Sequence, residues 1–406
     1  MALSFFGLAH AIILPLLFYT IYRIPYYSSI GLYFDYASKV LGGSLPYLDF
    51  TLEYPPFSLF FFILPHLFTS SFVVYAIAFE VELFLFDLLG LYLIYRIAQR
   101  QGKAPWEMLT VYSVAILAIG PIIAQRYDVF PAIIVLLSLY CFWIGKHKTS
   151  WGILALGTMT KIYPVAIAPI FLAYYMRNHQ YKRIWSGILV FAASSLAIII
   201  PFLVISPTSL LSLINYHAQR GIQLETIYSA FLLVVGKFGS TSPQLAFGAG
   251  SWNIAGPLAD TLAMISTFVL AFLLLMSYWF IYSRIKPGKS QLMEMGTYSL
   301  LVIAVILITS KVLSPQYLIW LFPLLPLLYG KQRYAIWAVF VVIGVLTYYI
   351  FPLHYPELID LKTDVVAVLL VRNIFLVLLT VLVGISLYRL RTCQQPLQHC
   401  YVRTRS

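Results

Sequence analysis

The sequence predicts an all-α polytopic membrane protein, and three observations carry that reading. Hydrophobic residues fill 61% of 406 positions and charged residues only 10%, where a soluble domain carries roughly 25% charged residues to cover its surface. The apolar runs are near-continuous rather than alternating. Backbone in hydrocarbon must satisfy its own hydrogen bonds, so such runs are helices. The third observation is the abundance of interfacial rings, 31 Tyr and 8 Trp, suited to the belts where a bilayer meets water. The net charge of +12 is scattered between apolar stretches, which fits membrane orientation and not nucleic-acid binding.

A span takes about 20 apolar residues, which gives about ten: 4–22, 71–95, 105–123, 129–145, 184–205, 258–283, 292–310, 316–330, 334–352 and 365–388. The first lacks a basic leader and a clear cleavage site before Arg23, so it is expected to stay as a span. The stretch 149–176 differs. Lys146 and Lys148 precede it, Arg177, Lys182 and Arg183 follow it, and Pro164 interrupts its centre; proline removes a helical donor and clashes with the preceding turn. A re-entrant pair of half-helices keeps both basic clusters on one side. With the N-terminus cytoplasmic, 17 of the 26 Lys and Arg then fall inside, including Lys289, Arg403 and Arg405, as the positive-inside rule requires. The three cysteines, Cys141, Cys393 and Cys400, make no disulfide or metal set.

The chain thus reads as a single membrane domain over residues 1–406 with two long outer loops, 23–70 and 206–257. Loops this long often carry a site. In the first, Leu32, Tyr33, Tyr36, Ala37 and Val40 recur at helical spacing, with Asp35, Ser38 and Lys39 on the other face. That is a short interfacial helix, ended by Gly42-Gly43 and followed by Asp49 and the rigid Glu53-Tyr54-Pro55-Pro56. Asp35 fits two readings, a catalytic carboxylate or a plain i, i+4 partner of Lys39; Asp49 and Glu53 stand on the same footing. Arg126-Tyr127-Asp128 occupies a short outer turn and reads unaided as a local ion pair. Lys161-Ile162-Tyr163-Pro164 sets a lysine in an apolar stretch, which demands a partner or water: either Glu80, Glu82 or Asp87 neutralises it, or it faces a polar cavity.

The second loop holds His217 and Arg220, three apart and on one helix face, then Gln223, Glu225 and Tyr228. The pair suits a phosphate; an exposed polar helix is the alternative. Lys311 and Ser314-Pro315-Gln316-Tyr317 form a further basic outer corner. Acids in one loop opposite cations in others suit proton abstraction beside an anionic leaving group. No P-loop, G-x-G-x-x-G, H-E-x-x-H or C-x-x-C motif occurs, so neither a nucleotide nor redox chemistry has visible parts.

Taken in order, Asp35, Gly43-Ser-Leu-Pro46-Tyr47, Glu53-Tyr-Pro-Pro56, Arg126-Tyr-Asp128 and Lys161-Ile-Tyr-Pro164 resemble the GT-C glycosyltransferases. The resemblance is nearest to glycosyltransferase family 87, the polyprenyl-phosphate-mannose-dependent mannosyltransferases, and more distant to the catalytic subunit of GPI mannosyltransferase I. His217…Arg220-Gly-Ile-Gln223…Glu225 and Ser314-Pro-Gln-Tyr317 look like the bacterial branch of that family. The resemblance implies a GT-C-type bundle in a prokaryotic plasma membrane with its site facing outside. It implies inverting transfer of a hexose, mannose favoured, from a polyprenyl-phosphate sugar to a lipid or glycan acceptor. Asp35 matches the family's outer-loop aspartate and is expected to act as general base, so that Asp35→Asn abolishes transfer. Arg126, Lys161, His217, Arg220 and Lys311 are expected at the donor phosphate. Asp49, Glu53, Tyr54, Asp128, Gln223, Glu225, Gln316 and Tyr317 are expected to line the substrate pocket. The first loop has no clear D-x-D, the pattern tied to metal use in some relatives, so no metal or cofactor is expected. A lipid or glycan transporter or flippase and a non-catalytic glycan-assembly subunit are the competing classes; the two one-sided loops and the lack of an inverted repeat argue against transport.

Overall fold

A computed structural model describes residues 1–22, 29–205, 208–238, 243–287 and 292–392; Arg23, Lys289, Cys393, Cys400, Arg403 and Arg405 lie outside these. The chain opens with α1 (Ala2–Tyr22), the short helices α2 (Ile30–Leu41) and α3 (Ser58–His66), and the long α4 (Phe72–Arg100). Then come α5 (Pro105–Ile119), a 3-10 turn at Gly120–Gln125, α6 (Val129–Trp143), α7 (His147–Thr160), a second 3-10 turn at Tyr163–Ile167, α8 (Ala168–Arg177) and α9 (Tyr181–Ile205). The next segment comprises α10 (Ser209–Ala218), β1 (Ile222–Gln223), α11 (Ile227–Phe238), β2 (Gln244–Gly248) and β3 (Ser251–Ala255). It leads into α12 (Pro257–Arg284), α13 (Leu292–Thr309), α14 (Arg333–Tyr348), α15 (Tyr355–Ile359) and α16 (Thr363–Thr392).

Among the described residues, six helical stretches are long and apolar enough to cross a bilayer: Ala2–Tyr19, Pro105–Gln125, Tyr181–Ile205, Pro257–Arg284, Arg333–Leu353 and Thr363–Arg389. The chain is therefore an all-α polytopic membrane protein, but its apolar segments are not ten equal spans. α4 is 29 residues long yet carries Glu80, Glu82 and Asp87, and α6 has only 15 residues, nearly all buried in protein. The expected span 316–330 is no α-helix. It forms two 3-10 segments, Pro315–Trp320 and Phe322–Leu327, because Pro315, Pro323 and Pro326 lack the N–H that an α-helix needs. Their backbone is tolerated because protein encloses it, with Phe322, Leu324 and Leu325 essentially inaccessible.

Polar side chains inside the bundle are paired across helices. His10 of α1 bonds Asp87 of α4 at 2.6 Å and Ser113 of α5 at 2.7 Å, tying three helices together. Asp87 thus has its own partner, and Lys161 does not neutralise it. Close approach is made by small residues: a Cβ on Gly344 of α14 would meet the Ala118 carbonyl oxygen of α5 at 2.6 Å, so only glycine allows that contact. In contrast, α9 and α12 face outward, with Trp185 and Phe268 at 72% and 70% exposure, as lipid-facing helices do.

The segment 149–176 is broken where Pro164 predicts. α7 stops at Lys161, whose backbone is extended (φ −154°, ψ 141°), and the 3-10 turn and α8 follow. The residues that flank it meet, since Arg183 donates to His147 Nε2 at 2.7 Å. The segment 206–257 is more than a loop. A three-stranded antiparallel sheet, ordered β1-β3-β2, sits among α10 and α11 over its own apolar cluster, which includes Ile222, Leu224, Leu232, Ile254, Leu358 and Leu369. Period-2 alternation over two to five residues is too short to read, so these strands were not expected.

Candidate active site

The first loop is shaped by α2, whose buried face is Ile30, Tyr33, Tyr36 and Ala37. That face packs on α3 and α4 instead of lying on a leaflet, with Tyr33 stacked on Phe62 at 4.4 Å. After α2 the chain turns back, and the Tyr47 hydroxyl donates to the Tyr54 carbonyl. Pro55 and Pro56 stiffen the return, and Phe57 N–H donates to Met159 O in the last turn of α7 at 2.9 Å. This holds Glu53 and Tyr54 against the broken end of α7.

α10 closes over Glu53. Its Tyr216 hydroxyl lies between Glu53 Oε2 at 2.5 Å and the Ala249 carbonyl at 2.8 Å, while His217 Nε2–H donates to the Glu53 carbonyl at 3.2 Å. Burial, and then Arg220, lowers the His217 pKa below its usual 6.5, so the ring is neutral at pH 7. The β2–β3 hairpin turns at Ala249–Gly250, both at positive φ, as a two-residue primed turn requires. Its tip reaches the same place: a Cβ on Gly250 would come within 3.0 Å of the Tyr216 hydroxyl.

The floor is the end of α7. Lys161 Nζ donates to Asp128 Oδ1 at 2.5 Å, and Trp320 Nε1–H donates to the same oxygen at 2.6 Å. Asp128 is fully buried, and its Oδ2 has no hydrogen-bond partner. Rings crowd the ammonium, with Tyr127 at 4.7 Å and both Tyr317 and Trp320 at 5.4 Å. Trp320 is itself sandwiched between Tyr163 at 4.1 Å and Tyr317 at 4.0 Å. Arg126 bonds Ser29 and stands over the Phe351 ring. Arg220 bonds Ser251 Oγ at 3.2 Å, and its Nε is buried without a partner.

These pieces enclose a cavity of about 320 Å³ lined by Glu53, Tyr54, Arg126, Lys161, His217, Arg220, Gln316 and Tyr317, with Ser29, Tyr163, Gly250, Ser314 and Trp320 among the rest. Eight of the expected site residues, drawn from five separate stretches, therefore share one cavity. Three cations against Glu53 and Asp128 leave the site net positive with His217 neutral, which suits a phosphate beside a carboxylate. Among the described residues no group of three or more His, Cys, Asp and Glu side chains is placed to hold a metal ion.

Other expected residues lie elsewhere. Asp35 is on the exposed face of α2, paired with Lys39 at 2.6 Å, and does not line the cavity. Asp49 accepts Leu45 N–H at 2.7 Å and closes its turn. Gln223 in β1 binds Leu313 N–H through Oε1 at 2.7 Å, and Lys311 donates to Ala218 O at 2.9 Å; both fasten α10 and the sheet to the chain after α13. Glu225 is buried beside Arg372 of α16, 3.9 Å away, and that guanidinium also donates to its carbonyl at 2.7 Å. Burial pushes the Glu225 carboxyl up to about 7 despite Arg372 and Arg126. Asp128 sits behind the cavity wall, a support for Lys161, and its partner is not Arg126. Ser29, Gly250 and Trp320 were missed. No local pattern marks the first two; an arginine inside an apolar run could have pointed to Arg372 as the partner of a buried acid.

The family model of glycosyltransferase family 87 matches residues 50–315, a stretch that includes Glu53, Arg126, Lys161, His217, Arg220 and Ser314 and begins after Asp35. No curated protein matches the sequence. Among solved structures the chain is similar to the crystal structure of ArnT from Cupriavidus metallidurans in the apo state, at 13% identity and a TM-score of 0.46, covering 88% of this chain and 72% of that one.

Proposed function

The chain belongs to glycosyltransferase family 87 and is a membrane glycosyltransferase, and from that premise we propose that it moves a hexose, mannose favoured, from a polyprenyl-phosphate sugar to a lipid or glycan acceptor at the outer membrane face. One observation carries the reading. A cavity with Arg126, Lys161 and Arg220 on its walls holds a single lining carboxylate, Glu53. The chemistry of a lipid-phosphate sugar asks for that division of labour: cations for the phosphate and one base for the incoming hydroxyl.

In this reading Glu53, not Asp35, is the base. Its Oε2 is held by Tyr216, and Oε1 takes the acceptor's hydroxyl proton. The acceptor oxygen attacks the anomeric carbon from the face opposite the phosphate, and the carbon–phosphate-oxygen bond breaks. Its electron pair stays on the departing polyprenyl phosphate, and the anomeric configuration inverts. Arg126 and Arg220 stabilise the charge that gathers on the phosphate, each charge-assisted bond contributing roughly 1.5–3 kcal/mol. Neutral His217 fixes the backbone of Glu53 and takes no proton. Lys161, tethered to Asp128 and ringed by Tyr127, Tyr317 and Trp320, keeps the floor rigid. The re-entrant course of 149–176 delivers it to the outer side.

Purified protein offered a panel of polyprenyl-phosphate hexoses and an extract of lipid-linked acceptors is expected to transfer one hexose class with inversion. Transfer directly from a nucleotide sugar, with none from any lipid-phosphate sugar, would overturn the donor assignment.

A further inference from the structure

A second cavity, of about 530 Å³, opens at the other end of α7, lined by Lys146, His147, Lys148, Thr149, Arg183 and Ser186 with no carboxylate among its lining residues. α7 has 14 residues, so at 1.5 Å per residue this cavity lies about 21 Å from Lys161. We propose that it binds a phosphate-bearing anion, the headgroup of an acidic membrane lipid.

Four features converge there. Lys146, Lys148 and Arg183 supply three cations on one rim. The first turn of α7 leaves its N–H groups at His147, Lys148 and Thr149 without helical acceptors, and the positive end of the helix dipole points the same way. His147 Nε2 accepts from Arg183 at 2.7 Å, so the neutral ring carries its proton on Nδ1, which is buried without a partner. Burial and Arg183 hold that ring neutral by lowering its pKa to about 4. The fourth feature speaks for a lipid. The cavity lies at the first turn of lipid-facing α9, where Tyr181 and Trp185 are 57% and 72% exposed; such rings settle at the headgroup level. Among the described residues Arg183 bonds the side chains of His147 and Gln180 and no acid pairs with the cluster.

The site is tested on the full-length protein in neutral detergent by thermal unfolding. Phosphatidylglycerol is expected to raise the wild-type Tm by several degrees and to saturate, while phosphatidylcholine does not. The variant Lys146→Gln/Lys148→Gln/Arg183→Gln is expected to lose most of that rise. Inorganic phosphate without effect assigns the site to lipid; inorganic phosphate that matches the lipid assigns it to the free anion. No shift with either anion, or an equal shift in the triple variant, overturns the proposal. Should the triple variant fail to fold, Lys148→Gln alone decides. Its side chain is exposed, and half-saturating phosphatidylglycerol is expected to rise roughly tenfold, the cost of one charge-assisted hydrogen bond. An unchanged half-saturation is the contrary result.

Discussion

Asp35 and Glu53 are 18 positions apart in one loop, and what packs against each separates their chemistry. Asp35 falls on the solvated face of α2, where Lys39 at i+4 satisfies it; Glu53 falls on an extended segment that α10 covers. Glu53→Gln is therefore expected to cut turnover by at least about 100-fold, the lower range for a lost general base, with donor binding nearly intact. Asp35→Asn is expected to keep most of its activity. Near-wild-type turnover in Glu53→Gln, with inactive Asp35→Asn, would return the base to Asp35. Arg220 is argued on the donor side. Arg220→Gln is expected to raise the apparent donor constant or lower turnover far more than it alters acceptor dependence. Arg220→Lys is expected to recover only part, because an ammonium cannot grip two phosphate oxygens as a guanidinium does. Weakened acceptor use with unchanged donor kinetics would make α10 and the sheet an acceptor site.

At the scale of elements, prolines decide more than hydrophobicity does. Pro164 follows the break at which Lys161 lines the cavity, and Pro315, Pro323 and Pro326 convert an apolar run into 3-10 turns that bring Tyr317 and Trp320 to it. Helix contacts depend on glycine in the same way. Since the atom nearest a Cβ on Gly344 is the Ala118 backbone oxygen at 2.6 Å, no rotamer change can relieve the clash. Gly344→Ala is expected to destabilise by about 1–3 kcal/mol, seen as a lower Tm in detergent. An unchanged Tm would mean that α5 and α14 are not this close in the membrane.

At the scale of the whole molecule, the two cavities sit at opposite ends of α7. If the first loop is outside, cysteines placed in a cysteine-free background should report it. Ser44→Cys is expected to label with an impermeant thiol reagent in intact cells, and Lys148→Cys only after the cells are opened. Labelling of Lys148→Cys alone in intact cells would invert the topology and remove the outer-face transfer.

Composition, a central proline and helical spacing were enough to determine that this chain lives in a bilayer, that 149–176 breaks near Pro164, and that α2 is an amphipathic helix. These are local or additive properties: transfer free energy sums along the chain, and a proline's missing donor acts where it stands. Short motifs also named most of the cavity wall, from Glu53 to Tyr317. Which carboxylate faces the cations was not legible, because Asp35 and Glu53 differ only in what packs against them. Nor was the pairing of Lys161 with Asp128, of Glu225 with Arg372, or the hairpin tip at Gly250. Each joins residues from distant parts of the chain, and burial away from water makes a buried charge take the nearest partner the packing supplies. That choice belongs to the tertiary structure alone.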